Sequence, residues 1–151
     1  LVTVVLGASL LLPPRQGGVR TKGSALAVYR FRAGVVARAS SGDLFLPGDR
    51  LRFEVKLQRA AYVLVAMIDA KGALIPCAPL KKDKPAFHRS AETHLLPGAI
   101  VLDQAGGRER IYLVACNHSF TFRDLAVSKS GRLVAPAHCA LTSFVINKGQ
   151  P

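Results

Sequence analysis

The sequence predicts a mostly β protein, an antiparallel β-sandwich that is loosely immunoglobulin-like and carries one short helix. Three features predict this fold class. Apolar residues occupy every second position of 51–57, with charged residues between them, which is the period of a half-buried strand. A continuous apolar run at 62–68 is typical of a strand buried on both faces. The loop 69–72 then ends in glycine and leads into another apolar stretch, as in a β-hairpin.

The other elements are predicted from apolar runs that turn residues interrupt. Thr121 and Asp124 have the spacing of a capping box, which predicts a helix of two to three turns that ends near Gly131. The sandwich then has about seven or eight strands. The additional strands are expected at 25–32, 35–39, 73–75, 110–116 and 141–147 and, within 95–103, after a Pro-Gly turn, while 44–46 is expected to be a brief extended piece.

Length and composition are those of one folded domain. The chain has 151 residues, of which 50% are hydrophobic and 20% charged, so composition does not predict disorder. Seven Phe, three Tyr and no Trp predict a core made mainly of aliphatic side chains. We place the sandwich domain at residues 25–151.

The N-terminal segment is apolar and ends in two prolines. Residues 1–14 are expected to be part of a membrane helix or signal segment, because a helix over 1–12 spans only about 18 Å of a hydrocarbon core of roughly 30 Å. A buried strand or core helix is the alternative. Residues 15–24 are basic and glycine-rich and are expected to form a linker. The positive charges after the apolar run leave the membrane orientation open.

A long segment without periodicity, 78–93, is expected to be a surface loop. Four cationic side chains surround one isolated aromatic residue in this loop, so we expect it to bind a partner. A tolerated insertion without a function is the alternative. The expected partner-binding residues are Lys81, Lys82, Lys84, Phe87 and Arg89.

The three cysteines form no CxxC pair. In an oxidising compartment one disulfide is expected, with Cys116 and Cys139 as the favoured pair and Cys77 free. Three buried thiols are an equally good interpretation. His118 and His138 lie near the pair, but the spacing matches no common zinc motif, so no metal site is predicted.

Charge and motifs limit the function classes. The net charge is +12, from 21 Lys and Arg against 9 Asp and Glu, but the cations are dispersed and no nucleic-acid-binding motif accompanies them. Nucleic acid is therefore not the expected partner. The sequence contains no GxSxG, P-loop or GxGxxG motif, so no catalytic residues and no cofactor are predicted.

Four sequence blocks carry a family resemblance: LPGDRLRFEV, AYVLVAMIDAKGAL, LLPGAIVLD and GRERIYLVAC. In this order they resemble an uncharacterised bacterial domain of unknown function, of the type found C-terminal to a single membrane helix in myxobacteria-like genomes. The resemblance covers residues 46–125. It implies an anti-sigma-factor-like or kinase-associated context, and it supplies no catalytic residues.

These observations together predict a non-catalytic sensory or interaction module of a membrane-anchored bacterial envelope regulator. The domain is expected on the extracytoplasmic side, where it would bind a protein partner or an envelope ligand. A structural module that binds an anionic surface polymer is one alternative. A small enzyme of unknown class is the other.

Overall fold

A computed structural model describes residues 23–149 of the chain. The expected membrane or signal segment, 1–14, and all but the last two residues of the expected linker lie outside the described residues. No helix within 23–149 combines the length and the apolar character that crossing a membrane requires. In chain order, the strands of this range are β1 Ser24–Arg32, β2 Val35–Ala39, β3 Leu44–Phe45, β4 Arg50–Leu57, β5 Ala61–Ile68, β6 Leu74–Ala78, β7 Phe87–Arg89, β8 Thr93–Leu95, β9 Ile100–Val101, β10 Gly107–Cys116, β11 Ala126–Val127, β12 Leu133–Val134 and β13 Cys139–Lys148.

Two sheets form the sandwich. The five-stranded sheet has the order β2-β1-β4, and β8 and β9 pair one after the other along the remaining edge of β4. The six-stranded sheet has the order β3-β13-β10-β5-β6, with β7 beside β6 on the edge of β5. All pairings are antiparallel except that of β3 with β13. The mostly β, antiparallel sandwich predicted from the sequence is confirmed.

The main core lies between the two sheets. The alternating apolar side chains of β4 face inward, and Leu51, Phe53 and Val55 are at most 1% exposed. They belong to one hydrophobic cluster with Ile111 of β10 and Phe144 of β13. The period-two pattern therefore predicted the buried face of β4 correctly.

A second hydrophobic cluster covers the outer face of the six-stranded sheet. Leu64 and Ala66 of β5 point to this face and are fully buried. Phe120, Phe122 and other side chains of the segment 117–138 pack on them, as does Ala86. Strand β5 is thus buried on both faces, as its continuous apolar run predicted.

The predicted helix is wrong in length. The capping box forms, with Thr121 accepting from the backbone N–H of Arg123 and Asp124 accepting from the N–H of Thr121. The helix is only the 3₁₀ turn Phe122–Asp124, because Leu125 is extended and leads into β11. Burial of Phe122 and Leu125 in the second cluster requires this extended path, and it overrides the local helix signal.

Two further expectations need correction. The segment 78–93 is not wholly irregular, because β7 pairs with β5 within it. In 95–103, where a Pro-Gly turn followed by an apolar strand was expected, the chain ends β8 at Leu95, turns at Pro97-Gly98 and forms only the two-residue strand β9. Short strands of two or three residues also raise the number of strands in the described range above the seven or eight expected.

Asp49 connects the end of β1 to the turn between β3 and β4. Its carboxylate accepts from Arg32 Nε at 2.7 Å, from the second guanidinium nitrogen at 2.6 Å and from the N–H of Leu46 at 2.8 Å. The side chain is 2% exposed. Gly48, at φ 87°, allows the Pro-Gly turn that brings Leu46 and Asp49 together. The hydrogen bonds from Arg32 hold the pKa of Asp49 below its usual value.

Lys148 forms a buried ion cluster with Glu109 and Asp103. Its Nζ lies 2.9 Å from Glu109 Oε2 and also donates to Asp103 Oδ1. The Lys148 and Glu109 side chains are 1% and 2% exposed, whereas Asp103 is largely in solvent. Burial alone would lower the pKa of Lys148, but the hydrogen bonds to Asp103 and Glu109 raise it above its usual value. Lys148 therefore stays charged and neutralises the buried carboxylate.

We expect Lys148→Met to lower the free energy of unfolding by about 3–5 kcal/mol, because it leaves the buried Glu109 charge without a partner. Urea denaturation at neutral pH measures this loss. Lys56→Met, at an exposed position, is the control and should change stability by no more than about 0.5 kcal/mol. Adding Glu109→Leu to Lys148→Met should restore most of the loss. Equal, small effects of both lysine substitutions would contradict the structural role of the cluster.

We expect the ion pair of Asp49 to make stability acid-sensitive. Because the folded pKa is lowered, the pair stabilises the fold above the unfolded pKa, and this contribution is lost as the pH falls through the folded pKa. Asp49→Asn should therefore be less stable than the wild type near neutral pH, and the difference should shrink on acidification from about pH 5 to about pH 2. Urea midpoints across this range measure it, with Asp83→Asn in an exposed loop as the control. A difference that does not depend on pH would contradict the assignment.

Candidate functional site

The outer faces of the two sheets differ in what covers them. Side chains of 117–138 and Ala86 bury the outer face of the six-stranded sheet. Within residues 23–149, no hydrophobic cluster forms over the outer face of the five-stranded sheet. We call this surface the bare face. Its outward-pointing residues are Tyr29, Phe31, Val36, Arg38, Arg50, Arg52, Glu54, Lys56, Leu95 and Val101, as strand register and the inward positions of their neighbours require.

Apolar side chains remain exposed on the bare face. Val36, Leu95 and Val101 are 54%, 50% and 63% exposed. Strand register places Val36 beside Phe31, Phe31 beside Arg50, and Arg50 beside Val101, in a row across four strands. This row gives a partner both an apolar strip and a central cation.

Positive charge dominates the same face. It carries four cations, Arg38, Arg50, Arg52 and Lys56, and one acid, Glu54. The hydroxyl of Tyr29 donates to Glu54 at 3.4 Å. One terminal nitrogen of Arg52 donates to the Leu96 carbonyl at 3.1 Å, while its Nε is buried without a hydrogen-bond partner. These cations lie next to exposed aliphatic side chains and partly exposed aromatic ones. The surface therefore suits a ligand that carries both negative charge and apolar groups.

The structure separates the residues that the sequence suggested for partner binding. Lys81, Lys82 and Lys84 are exposed. They lie on the opposite side from the bare face, since Lys82 Nζ is 5.9 Å from the ring centre of Phe122 in the second cluster. A partner-binding role for these lysines stays a prediction.

The other two residues of that set belong to β7. Phe87 is half-buried and packs against the core between the sheets, which gives its ring a structural role. The guanidinium carbon of Arg89 lies 5.0 Å from the centre of the Phe87 ring. A partner-binding role for Phe87 and Arg89 stays a prediction.

Cys116 and Cys139 form a disulfide bond. They are directly paired residues at the ends of β10 and β13, with Cα atoms 4.3 Å apart, and they close the loop 117–138. The structure thus has the pairing that the sequence favoured rather than three thiols. Cys77 is a free, buried thiol. Burial raises the pKa of Cys77 far above its usual range, so this thiol is unreactive.

Sequence reasoning missed the bare face although part of its signal was visible. The charged positions of β4 and the pattern ALAVYRFR of β1 each show outward-facing residues. What joins them is the antiparallel pairing of β1 with β4, which sets Tyr29 beside Arg52 and Phe31 beside Arg50. That register depends on contacts between distant parts of the chain, which no local pattern specifies.

The family comparison supports the resemblance in its coarser form. The family model "Domain of unknown function (DUF4384)" matches residues 45–119, just under half of the 151-residue chain. The chain is similar to an uncharacterised domain over this range. The matched range contains β4 to β10 and thus the larger part of both sheets. No curated protein and no solved structure matches the chain significantly.

We expect the three cysteines to react in a fixed order with a maleimide reagent. The native oxidised protein should take up none, because two cysteines are bonded and Cys77 is buried. After reduction without denaturant, Cys139 should be labelled before Cys116, since Cys139 is the more accessible of the pair. Denaturation of the oxidised protein should allow labelling of Cys77 alone, and peptide mass mapping identifies each site. Labelling of three sites in unreduced, denatured protein would contradict the disulfide.

Proposed function

We propose that this domain is a non-catalytic interaction module of a membrane-anchored bacterial envelope regulator, and that its bare face binds an acidic, partly apolar polypeptide. The observation that carries the proposal is the coincidence of exposed apolar side chains with unbalanced positive charge on one sheet face. The opposite outer face is already filled by the chain's own residues. The bare face is therefore the largest sheet surface that the described residues leave for a partner.

Charge complementarity selects an acidic partner. With four cations against one acid, this face attracts carboxylate-rich or phosphate-rich partners and repels basic ones. The net charge of +12 on the whole chain adds to this steering over a distance of about 8 Å at physiological salt.

The exposed aliphatic residues favour a polypeptide over a simple polyanion. A polyphosphate has no apolar groups with which to cover Val36, Leu95 and Val101, whereas acidic peptides commonly contain Leu, Phe or Tyr. Arg and aromatic residues together are also the composition of strong protein-binding surfaces. An acidic polypeptide with interspersed apolar residues can pair with the cations of the bare face and also cover its exposed apolar side chains.

The regulator context rests on three supports. The family resemblance implies a domain that follows a single membrane helix, and the apolar segment 1–14 is expected to be such a helix or a signal segment. The Cys116–Cys139 disulfide is typical of an oxidising compartment, which supports an extracytoplasmic location. Binding at the bare face would then alter the regulator to which the domain is attached.

A structural envelope module that binds an anionic polymer is the second candidate. Lys81, Lys82 and Lys84 favour it, because they are exposed cations on the side away from the bare face. A polyanion that wraps the domain would use both groups of cations, whereas a peptide on the bare face would use one.

Two variants of equal charge change separate these candidates. We expect Arg38→Gln/Arg50→Gln/Lys56→Gln to weaken binding of a Glu/Tyr copolymer about tenfold, because three surface contacts together contribute on the order of 1.5 kcal/mol. Lys81→Gln/Lys82→Gln/Lys84→Gln should leave the affinity nearly unchanged, because these lysines lie outside the bare face. Fluorescence anisotropy at moderate salt measures both. Equal losses in the two variants, or binding of polyphosphate alone, would favour the polymer module. No binding of any of these probes would overturn the proposal.

A third variant tests the apolar half of the surface. Val36→Ser/Leu95→Ser/Val101→Ser should weaken binding of the Glu/Tyr copolymer and leave binding of polyglutamate unchanged. These residues are half exposed or more, so the fold should tolerate the substitutions. An equal effect on both probes would contradict the apolar contribution.

A further inference from the structure

The end of the six-stranded sheet gathers three metal-ligating side chains. We call Cys116, His118 and Cys139 the disulfide corner. One ligand atom from each of them lies within 4.8 Å of the others, and His118 Nε2 is 4.0 Å from Cys139 Sγ. No common metal motif is visible in the sequence, because the pairing of β10 with β13 brings Cys139 to Cys116 and His118 from 23 and 21 positions away.

The distances are close to those of a tetrahedral zinc site. With Zn–S bonds of about 2.3 Å and Zn–N bonds of about 2.0 Å, two ligand atoms lie roughly 3.5–3.8 Å apart. The imidazole nitrogen is therefore within about 0.5 Å of its required distance from the Cys139 sulfur. The two sulfurs are bonded to each other in this structure, so both become metal ligands only after the bond is broken.

Backbone carbonyls orient the imidazole of His118. Its Nδ1 lies 3.2 Å from the carbonyl oxygen of Ser119, and its Nε2 lies 3.3 Å from that of Ala137. A neutral imidazole carries one N–H, so it donates to only one of these carbonyls. The tautomer that donates from Nδ1 leaves Nε2 unprotonated at 4.0 Å from Cys139 Sγ, and metal binding requires Nε2 to turn from the Ala137 carbonyl toward that sulfur. A carbonyl that accepts from the other ring nitrogen is the usual support of a zinc-binding histidine.

The scaffold of the corner does not depend on the disulfide alone. Strands β10 and β13 pair over ten residues, of which Cys116 and Cys139 are only the last pair. The loop between them is also held by Phe120, Phe122 and Leu125 in the second cluster. The corner is open on one side, since His118 is exposed and Cys139 is partly exposed. A metal ion can thus enter without unfolding of the sheet.

We propose that the disulfide corner, once reduced, binds one Zn²⁺ through Cys116, His118 and Cys139. A dithiol reductant breaks the S–S bond by thiol–disulfide exchange and is itself oxidised to a disulfide, while the two cysteines become thiols. Each cysteine loses its proton to solvent when it binds the metal. Three protein ligands leave the fourth tetrahedral position to water. The disulfide and the zinc site use the same sulfurs, so each state excludes the other.

Cobalt substitution tests the site in the full chain. Reduced protein, freed of reductant under argon, should bind one equivalent of Co²⁺ with the intense visible bands of tetrahedral coordination and a thiolate charge-transfer band, and Zn²⁺ should displace it. The oxidised protein should show neither. His118→Ala should weaken binding at least about tenfold, whereas His88→Ala, an exposed histidine outside the corner, should not change it.

Three results would overturn the proposal. One is a reduced protein whose cobalt spectrum equals that of the aquo ion. A second is equal affinity of the reduced wild type and of Cys116→Ser/Cys139→Ser. The third is loss of the β-sheet circular dichroism signal on reduction alone, because the site requires that the paired strands persist.

Discussion

The burial of β5 and β10 on both faces is the constraint on which the rest of the structure depends. Val65 of β5 and Leu113 of β10 face the five-stranded sheet, while Leu64 and Val114 face away from it, and all four are fully buried. An antiparallel sheet with two apolar faces cannot be the outer layer of a two-layer sandwich, because one face would then contact water. The chain meets this constraint with a third layer, formed by 117–138 and by the residues around Ala86.

The third layer makes the molecule asymmetric. Residues 23–149 cover one outer face only, and within them the strand β4 of the five-stranded sheet keeps the ordinary alternation of buried and exposed residues. Some of the sheet's outward side chains are nevertheless apolar, since Val36 and Val101 are over half exposed. The proposed polypeptide partner would cover this apolar surface and remove it from water. The same asymmetry therefore separates the part of the surface used for folding from the part available for binding.

The elements that depend on local pattern could be predicted from the sequence, whereas those that depend on distant contacts could not. The alternation in β4 and the apolar run of β5 fix both the strands and their burial, because side-chain period and burial are linked within a few residues. The capping box at Thr121 is a local signal too, and it forms, yet it starts only a 3₁₀ turn because burial of Leu125 in the third layer extends the chain.

The two candidate sites depend most on distant contacts. The bare face needs the register of β1 on β4, and the disulfide corner needs that of β10 on β13. Cysteine count and compartment could suggest the pairing of Cys116 with Cys139, and the sequence shows His118 near them, but neither indicates that its imidazole nitrogen lies 4.0 Å from Cys139 Sγ. Sites assembled across strand pairs are in general invisible to a reading along one segment, since each partner residue is ordinary in its own neighbourhood.

The disulfide corner and the bare face adjoin different parts of the molecule. The loop that the disulfide closes contacts the lysine-bearing segment directly, because the N–H of Ala86 donates to the Phe120 carbonyl at 2.8 Å and Pro85 bridges to Thr121. The bare face is separated from that loop by the whole inter-sheet core, which is closely packed and rigid. The loop closed by the disulfide therefore contacts the segment of Lys81, Lys82 and Lys84 directly, whereas the inter-sheet core lies between that loop and the bare-face residues Tyr29 and Arg52.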